Sequence, residues 1–173
     1  DYRPPARMGD VYRLLGADVD VIALVDGVFH GAPSVWHREL LAAVDAGIHV
    51  IGTSSMGALR AAELHGLGME GHGIVFGWYR DGVVSRDDEV AIQHGDADCG
   101  YRPLSEPLVN IRATLTDALE AGAVLAGDAH ELVNYAASLH YPQRSLAGLL
   151  DSPTCRYWSS SRRELLAAWL QER

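Results

Sequence analysis

The segment "GTSSMGALRAAE" (52–63) carries the residues best suited to chemistry. A strand pattern ends in Gly-Thr-Ser-Ser and passes directly into a helix pattern that begins Met-Gly-Ala. A tight strand-to-helix turn exposes its turn residue at the sheet edge, where the first N–H groups of the helix lack acceptors. We therefore predict that Ser55 is a nucleophile and that unpaired N–H groups of Met56 and Gly57 hold an oxyanion.

The same pattern has two simpler interpretations. Ser54 or Ser55 could serve only as the N-cap of the helix, with Gly57 packing closely on the sheet. The turn could also bind an anion without any chemistry. Gly52 and Gly57 fit every interpretation, because they remove side chains where backbone or substrate must approach closely.

Other polar residues could support Ser55. Asp26 follows a strand pattern and His37 lies in the first turn of a helix, so the two could complete an Asp–His–Ser set with Ser55. Arg60 and Glu63 share the Ser55 helix at a spacing that predicts an ion pair between them.

Three further polar residues lie in the second half of the chain. Arg102 precedes Pro103 in a predicted loop and is the best placed of them to face a ligand carboxylate. Asn110 lies near the start of a long predicted helix and is a supporting candidate. Arg112 is predicted to lie on the solvated face of that helix.

Two apolar runs predict the strands that position these residues. "DVDVIALVDG" (18–27) is typical of a strand buried on both faces, and 48–52 is a second short strand. The helix between them, 34–47, has Ser34 as its predicted N-cap and ends at Gly47.

Strand, helix and strand with short connections predict a parallel pair with a right-handed crossover. The carboxyl ends of the two strands then lie side by side, which places Asp26 near Ser54 and Ser55. His37 and Arg38, at the start of the crossover helix, are expected at the same edge.

The predicted fold class is α/β, a small, mostly parallel sheet with helices on both faces, a Rossmann-like βαβ core and a helical C-terminal part. We expect an edge strand preceding "RPPARMGD" to be missing from this chain. Two further elements are predicted before residue 99, a helix in 73–82 and a strand at 88–95. A long helix is predicted in 99–122, starting near Pro107, and one or two small helices in 128–150. The final predicted helix, 161–173, is capped by Ser161 and Glu164.

Composition excludes several function classes. The formal net charge of −9 argues against a nucleic-acid surface. All 14 basic residues are arginine, so no lysine amine is available for catalysis.

Cys99 and Cys155 show no metal-binding spacing and the eight histidines are dispersed, so we predict no metal site. No apolar run approaches the ~20 residues that span a bilayer, and no signal peptide is visible, so we expect a cytoplasmic protein without membrane contact.

Five blocks of the sequence resemble the core of TfuA-like proteins in type, order and spacing. The resemblance spans roughly residues 2 to 115, about two-thirds of the chain, and its blocks are "VDGVF" (25–29), "VWHREL" (35–40), "GTSSMGALRAAEL" (52–64), "DEVAIQHG" (88–95) and "GYRPLSEPLVNIRATL" (100–115). It implies a TfuA-like α/β core over 1–122 and a helical extension packed on that core over 123–173.

The resemblance implies a role beside YcaO enzymes in peptide backbone thioamidation. TfuA-like proteins are expected to hydrolyse the C-terminal thiocarboxylate of a ThiS-like sulfur carrier, which releases sulfide, and to dock to YcaO. No cofactor is expected in this chain, because ATP and metal would belong to the YcaO partner. The sequence leaves the oligomeric state open, a homo-oligomer included.

The family's Ser–Lys pair fits this chain only in part. Its serine corresponds to Ser55, but the position expected for lysine is occupied by Arg38. An arginine stays protonated and cannot act as a general base, although it could hold the thiocarboxylate. Three hypotheses follow: His37 or another group replaces the base, the hydrosulfide leaves with weak activation, or the protein is a non-catalytic adaptor. A generic Ser–His–Asp hydrolase is the remaining alternative.

Overall fold

The computed structural model describes residues 1–29 and 31–171. The chain divides into two compact units, Asp1–Asp87 and Asp88–Arg173. This division lies earlier in the chain than the boundary at residue 122 that rests on the family resemblance. Each unit is described by itself.

The first unit is built on a three-stranded parallel sheet. The strands are β1 (Val21–Leu24), β2 (His49–Thr53) and β3 (Glu70–His72), in the order β1-β2-β3. Ile22 pairs with Val50 across β1 and β2, and every strand pair is parallel. The predicted α/β class and parallel βαβ unit are confirmed.

Three helices connect and flank these strands: α1 (His37–Asp45), α2 (Met56–Leu64) and α3 (Ile74–Arg80). The predicted helices at 34–47, 55–64 and 73–82 are therefore present. The core of the unit is apolar and consists of Val11, Ile22, Leu24, Val35, Leu40, Ala43, Ile48, Val50, Ala58, Ala61, Leu64, Met69 and Phe76.

Helix α1 starts later than the sequence predicts, because its N-cap is Trp36 and not Ser34. Glu39, the third residue of the helix, accepts the N–H of the N-cap residue Trp36 at 2.8 Å, as the acidic residue of a capping box does. The Ser34 hydroxyl instead accepts a hydrogen bond from the Arg60 guanidinium at 3.2 Å. Gly47, at φ 83°, follows the helix in the left-handed conformation that favours glycine.

Strand β1 is covered on one face. Ile22 and Leu24 are buried, whereas Val21 is 51% exposed. Residues alternate between the two faces of a strand, so this alternation means that β1 meets the core on one side. The prediction that this strand is buried on both faces is wrong.

The exposed side of β2 and β3 carries a cluster of two histidines and a glutamate. The Nε2 atoms of His49 and His72 each lie 2.6 Å from a different oxygen of the Glu70 carboxylate. The hydrogen bond with His49, followed by the one with His72, lowers the pKa of Glu70 below its ordinary value.

Two glycines allow α2 to lie directly against the strands. A Cβ atom on Gly57 would lie 1.9 Å from the Leu24 carbonyl oxygen at the end of β1. A Cβ atom on Gly52, in β2, would lie 2.1 Å from the Gly57 carbonyl oxygen. Neither space can hold a side chain, so glycine at both positions sets how close the first turn of α2 comes to the sheet.

The second unit is helical. Its helices are α4 (Leu108–Glu120), α5 (Ala126–Ser138), α6 (Pro153–Arg156) and α7 (Ser160–Gln171). Pro107 is the N-cap of α4, as its predicted place near the first turn suggests. The buried side chains that form the core of the unit are Leu108, Ile111, Leu115, Ala118, Ala123, Val124, Ala129, Leu132, Ala136, Leu149, Cys155, Leu166 and Leu170.

The predicted caps of the final helix are wrong, because Ser161 lies inside α7. The Ser159 hydroxyl accepts the Arg162 N–H at 3.4 Å. Ser159 therefore provides an acceptor for one of the N–H groups in the first turn of the helix. The last two residues of the predicted helix, 172 and 173, lie outside the described residues.

The predicted strand at 88–95 is wrong. Asp87–Glu89 is a single 3-10 turn, and the extended part that follows makes an isolated bridge between His94 and Pro103. At the start of the segment a side chain holds the backbone: the buried Arg144 donates to the Asp88 carboxylate at 2.5 Å and to the Asp88 carbonyl at 2.7 Å. Charged partners therefore fix the start of this segment, and an isolated bridge holds its end.

Arg112 has a structural role that the sequence analysis missed. Its guanidinium donates two hydrogen bonds, at 2.8 and 2.9 Å, to the Glu89 carboxylate, and the Glu89 side chain is 2% exposed. The prediction that Arg112 lies on a solvated helix face is wrong, because a buried carboxylate requires a partner of opposite charge.

Within the described residues, no helix is long and apolar enough to cross a membrane.

A Gly57→Ala substitution should destabilise the first unit. The added methyl group collides with the Leu24 carbonyl, and overpacking of this kind costs about 1–3 kcal/mol of the free energy of unfolding. Gly77→Ala, in α3, is the matched control, since a Cβ there meets nothing within 4 Å. Helix propensity should make Gly77→Ala neutral or stabilising by up to about 1 kcal/mol. Urea denaturation measures both, and equal effects would contradict the packing argument.

Arg112→Met should lower the free energy of unfolding by about 2 kcal/mol, because it leaves the buried Glu89 carboxylate without its cation. Arg156→Met is the control: Arg156 is exposed and has no ion pair in the described part of the chain. We expect that change to stay within about 0.5 kcal/mol. Thermal or urea unfolding of the two variants provides the comparison, and a neutral Arg112→Met would show that Glu89 is not buried as a charge.

Candidate functional site

Ser55 occupies the turn between β2 and α2. Ser54, just before it, is exposed and takes a left-handed backbone conformation with φ 63°, which is uncommon outside glycine. Ser55 is half-buried and is the N-cap of α2, without a side-chain capping hydrogen bond. The left-handed residue turns the chain sharply, so that the helix starts at once after the strand.

The N–H groups at the start of α2 are only partly available. The Gly57 N–H donates to the Val25 carbonyl at 3.2 Å, so the expectation that this group is unpaired is wrong. The close approach that brings Gly57 against β1 is also what gives its N–H an acceptor. The Met56 N–H has no hydrogen-bond acceptor among the described residues, and it lies at the positive end of the helix dipole.

The loop after β1 lies against the start of α2. A Cβ atom on Gly27 would lie 3.0 Å from Cγ of Met56. The neighbouring Asp26 is half-buried, and its carboxylate accepts the Gly27 N–H at 2.8 Å. The carboxyl ends of β1 and β2 therefore meet here, with Asp26 next to a residue that touches Met56.

His37 contacts Glu63 and not Ser55. Its Nε2 atom lies 2.8 Å from a Glu63 oxygen. Glu63 is eight residues beyond Ser55 on the same helix, which corresponds to about 12 Å of helix rise. Within the described residues, neither His37 nor Asp26 makes a hydrogen bond to Ser55, so Asp26, His37 and Ser55 do not form a hydrogen-bonded triad in this structure.

Arg60 fastens α2 to the segment that precedes α1. Its guanidinium donates to the Val35 carbonyl at 3.1 Å and to the Ser34 hydroxyl, and it pairs with Glu63 at 2.6 Å. The Arg60 side chain is only 11% exposed. The i,i+3 pair with Glu63 is observed as predicted, and Arg60 acts here as a structural anchor for the start of α1.

Arg38 follows His37 in the first turn of α1 and is exposed. No acidic side chain in the described part of the chain pairs with it. Its guanidinium is therefore available to an anion at the surface of the first unit.

Arg102 and Asn110 belong to the second unit, and both are exposed. The Arg102 carbonyl accepts the Gly95 N–H at 2.8 Å, which closes a loop. The Asn110 amide donates to the Glu106 carboxylate at 2.7 Å. The Asn110 side chain is therefore hydrogen-bonded to a neighbour at the start of α4.

Glu39 is a buried residue of this region that the sequence analysis missed. Its carboxylate accepts the N–H groups of Gly9 and Val11 at 3.0 Å each, besides that of Trp36. Glu39 is fully buried, so these hydrogen bonds tie the N-terminal segment to α1. The sequence places Glu39 in the first turn of a predicted helix, where acidic residues are favoured, and this position could have indicated a structural role for its carboxylate.

No group of three or more His, Cys, Asp or Glu side chains within residues 1–29 and 31–171 could hold a metal ion.

Comparison with known protein families identifies the family of this chain. A family model described as TfuA-like protein matches residues 26–145, which is more than half of the 173 residues. The chain belongs to the TfuA-like family. The matched range contains Asp26, Arg38 and the whole Ser55 turn, and it extends into the second unit as far as Ser145. A comparison with curated proteins finds no match to the chain.

Proposed function

We propose that this TfuA-like protein assists YcaO-dependent thioamidation of peptide backbones in the cytoplasm, by hydrolysing the C-terminal thiocarboxylate of a ThiS-like sulfur carrier and by docking to YcaO. The observation that carries the proposal is the turn at Ser55, where a left-handed Ser54 presents Ser55 at the start of α2. Membership of the family supplies the substrate class and the partner.

The reaction has two steps. The Ser55 hydroxyl oxygen attacks the thiocarboxylate carbon, the carbon–sulfur bond breaks, and hydrosulfide leaves while the carrier becomes an ester of Ser55. Water then hydrolyses this ester, which returns the Ser55 hydroxyl and leaves the carrier with a carboxylate and a proton. The Met56 N–H is the donor placed to bind the oxyanion in both steps.

A lysine-free chain needs another acceptor for the Ser55 proton. Arg38 stays protonated, and the His37 imidazole is engaged by Glu63. The departing sulfur can take the proton itself, since the thiocarboxylate is an anion and the product is hydrosulfide. In this scheme Arg38 contributes charge, by binding the thiocarboxylate.

A non-catalytic adaptor is the second candidate function. The pairing of the Gly57 N–H with the Val25 carbonyl favours it, because an oxyanion hole ordinarily uses two donors and here one of the two predicted donors is occupied. An adaptor would use the same surface to hold the carrier and a YcaO subunit without breaking a bond.

Ser55→Ala should reduce sulfide release from a thiocarboxylated ThiS-like carrier on the order of 100-fold or more, because it removes the oxygen that attacks the thiocarboxylate carbon. A sulfide-selective probe measures the rate under single-turnover conditions. Ser85→Ala is the control, since Ser85 is exposed and lies in the same unit, outside the site.

Two results would contradict the hydrolase. Release that is unchanged in Ser55→Ala would exclude Ser55 as the nucleophile. An absence of release by the wild-type protein, together with retained binding of the carrier, would support the adaptor instead.

A further inference from the structure

Arg7 lies in a short segment whose backbone is held at the carboxyl edge of the sheet. The Ala6 N–H donates to the Asp26 carbonyl at 3.1 Å, and the Val28 N–H donates to the Ala6 carbonyl at 2.9 Å. On the other side of Arg7, the Met8 N–H donates to the Pro33 carbonyl at 3.0 Å. Arg7 is thus placed between two fixed neighbours, although it lies outside any helix or strand.

This segment and the start of α2 meet at one residue. Ala6 forms a parallel bridge with Gly27. A Cβ atom on Gly27 would lie 3.1 Å from the Ala6 carbonyl oxygen and 3.0 Å from Cγ of Met56. Gly27 therefore lies next to both Ala6 and the first residue of α2, and Arg7 follows Ala6 in the chain.

Two acidic side chains lie near Arg7, and neither of them pairs with its guanidinium group. The Asp10 carboxylate accepts the Arg7 backbone N–H at 2.8 Å and pairs with the Arg13 guanidinium. The Asp26 carboxylate accepts the Gly27 N–H. Arg7 is exposed, and its side chain has no acidic partner within the described residues.

Arg7 and Arg38 share a structural support. Arg38 immediately precedes Glu39, and the Glu39 carboxylate holds the N–H of Gly9, two residues after Arg7. The chain segments that carry these two exposed arginines are thus joined through one buried carboxylate, and neither arginine has an acidic partner in the described part of the chain. In a chain of net charge −9, Arg7 and Arg38 are thus two exposed positive charges that no ion pair among the described residues neutralises.

We propose that Arg7 forms, together with Arg38, a binding site for the anionic end of a polypeptide tail, namely a C-terminal carboxylate or thiocarboxylate. The planar guanidinium group binds such an end with two parallel hydrogen bonds. The identity of the tail as that of a ThiS-like carrier rests on the proposed function, whereas binding of its end requires no bond to break. Arg7 precedes the residues matched by the family model, 26–145.

Binding of two forms of one carrier tests this site. The probes are an unmodified ThiS-like carrier with a free C-terminal carboxylate and the same carrier with a C-terminal amide, and calorimetry gives the dissociation constants. The wild-type protein should prefer the carboxylate form by on the order of tenfold, the strength of a charge-assisted pair. Arg7→Gln should reduce this preference severalfold, and Arg7→Lys should keep part of it.

Arg3→Gln is the matched control, because Arg3 is exposed, lies in the same segment and pairs with Asp1. That variant should retain the full preference. Unchanged preference in Arg7→Gln, or no preference in the wild-type protein, would overturn the site. Circular dichroism and thermal unfolding of Arg7→Gln should match the wild type, since the contacts of this segment are made by its backbone.

The outcome is independent of catalysis. If Ser55→Ala still releases sulfide while Arg7→Gln loses the preference for the carboxylate, the hydrolase mechanism fails and the binding site stands. If Ser55→Ala is inactive and Arg7→Gln keeps the preference, the hydrolase mechanism stands and the Arg7 binding site fails.

Discussion

The contact between the backbone of α2 and the ends of β1 and β2 determines the candidate site. Gly57 lies against the Leu24 carbonyl, and Gly52 lies against the Gly57 carbonyl, with no room for a side chain at either position. A helix that starts this close to two parallel strands leaves its turn residue at their common edge. The same contact reduces the number of N–H donors available to an oxyanion. The Gly57 N–H has a protein acceptor, and of the two predicted donors the Met56 N–H remains for a ligand.

Much of the first unit could be predicted from local patterns, because apolar runs, helix periodicity and glycine stops act over a few residues. The parallel pair, the crossover helix and the start of α2 at Ser55 all follow from such signals. Strand β3 could not be predicted, since Glu-Gly-His has no apolar run and pairs with β2 through its backbone. The His37–Glu63 contact joins residues far apart in sequence, and the first turn of α1 gives no sign of it.

The second unit shows why a short apolar run can be mistaken for a strand. Residues 88–95 resemble a strand in pattern, but Asp88 and Glu89 are held by Arg144 and Arg112 from distant positions. Arginine is suited to this role because its fork satisfies both oxygens of a carboxylate. A chain without lysine uses the same residue for two purposes: some arginines hold buried carboxylates, and others, such as Arg7 and Arg38, lie exposed at the surface of the first unit.

The most direct measurement is amide hydrogen exchange of the full chain, with and without the ThiS-like carrier, followed by mass spectrometry of peptides. If the Ser55 turn is where the carrier tail binds, the peptide covering residues 53–60 should exchange more slowly in the complex, with the Met56 N–H contributing to the difference. This result is expected for a hydrolase and for an adaptor alike. Protection confined to residues 88–171, with residues 53–60 unchanged, would contradict the assignment of the site to the start of α2.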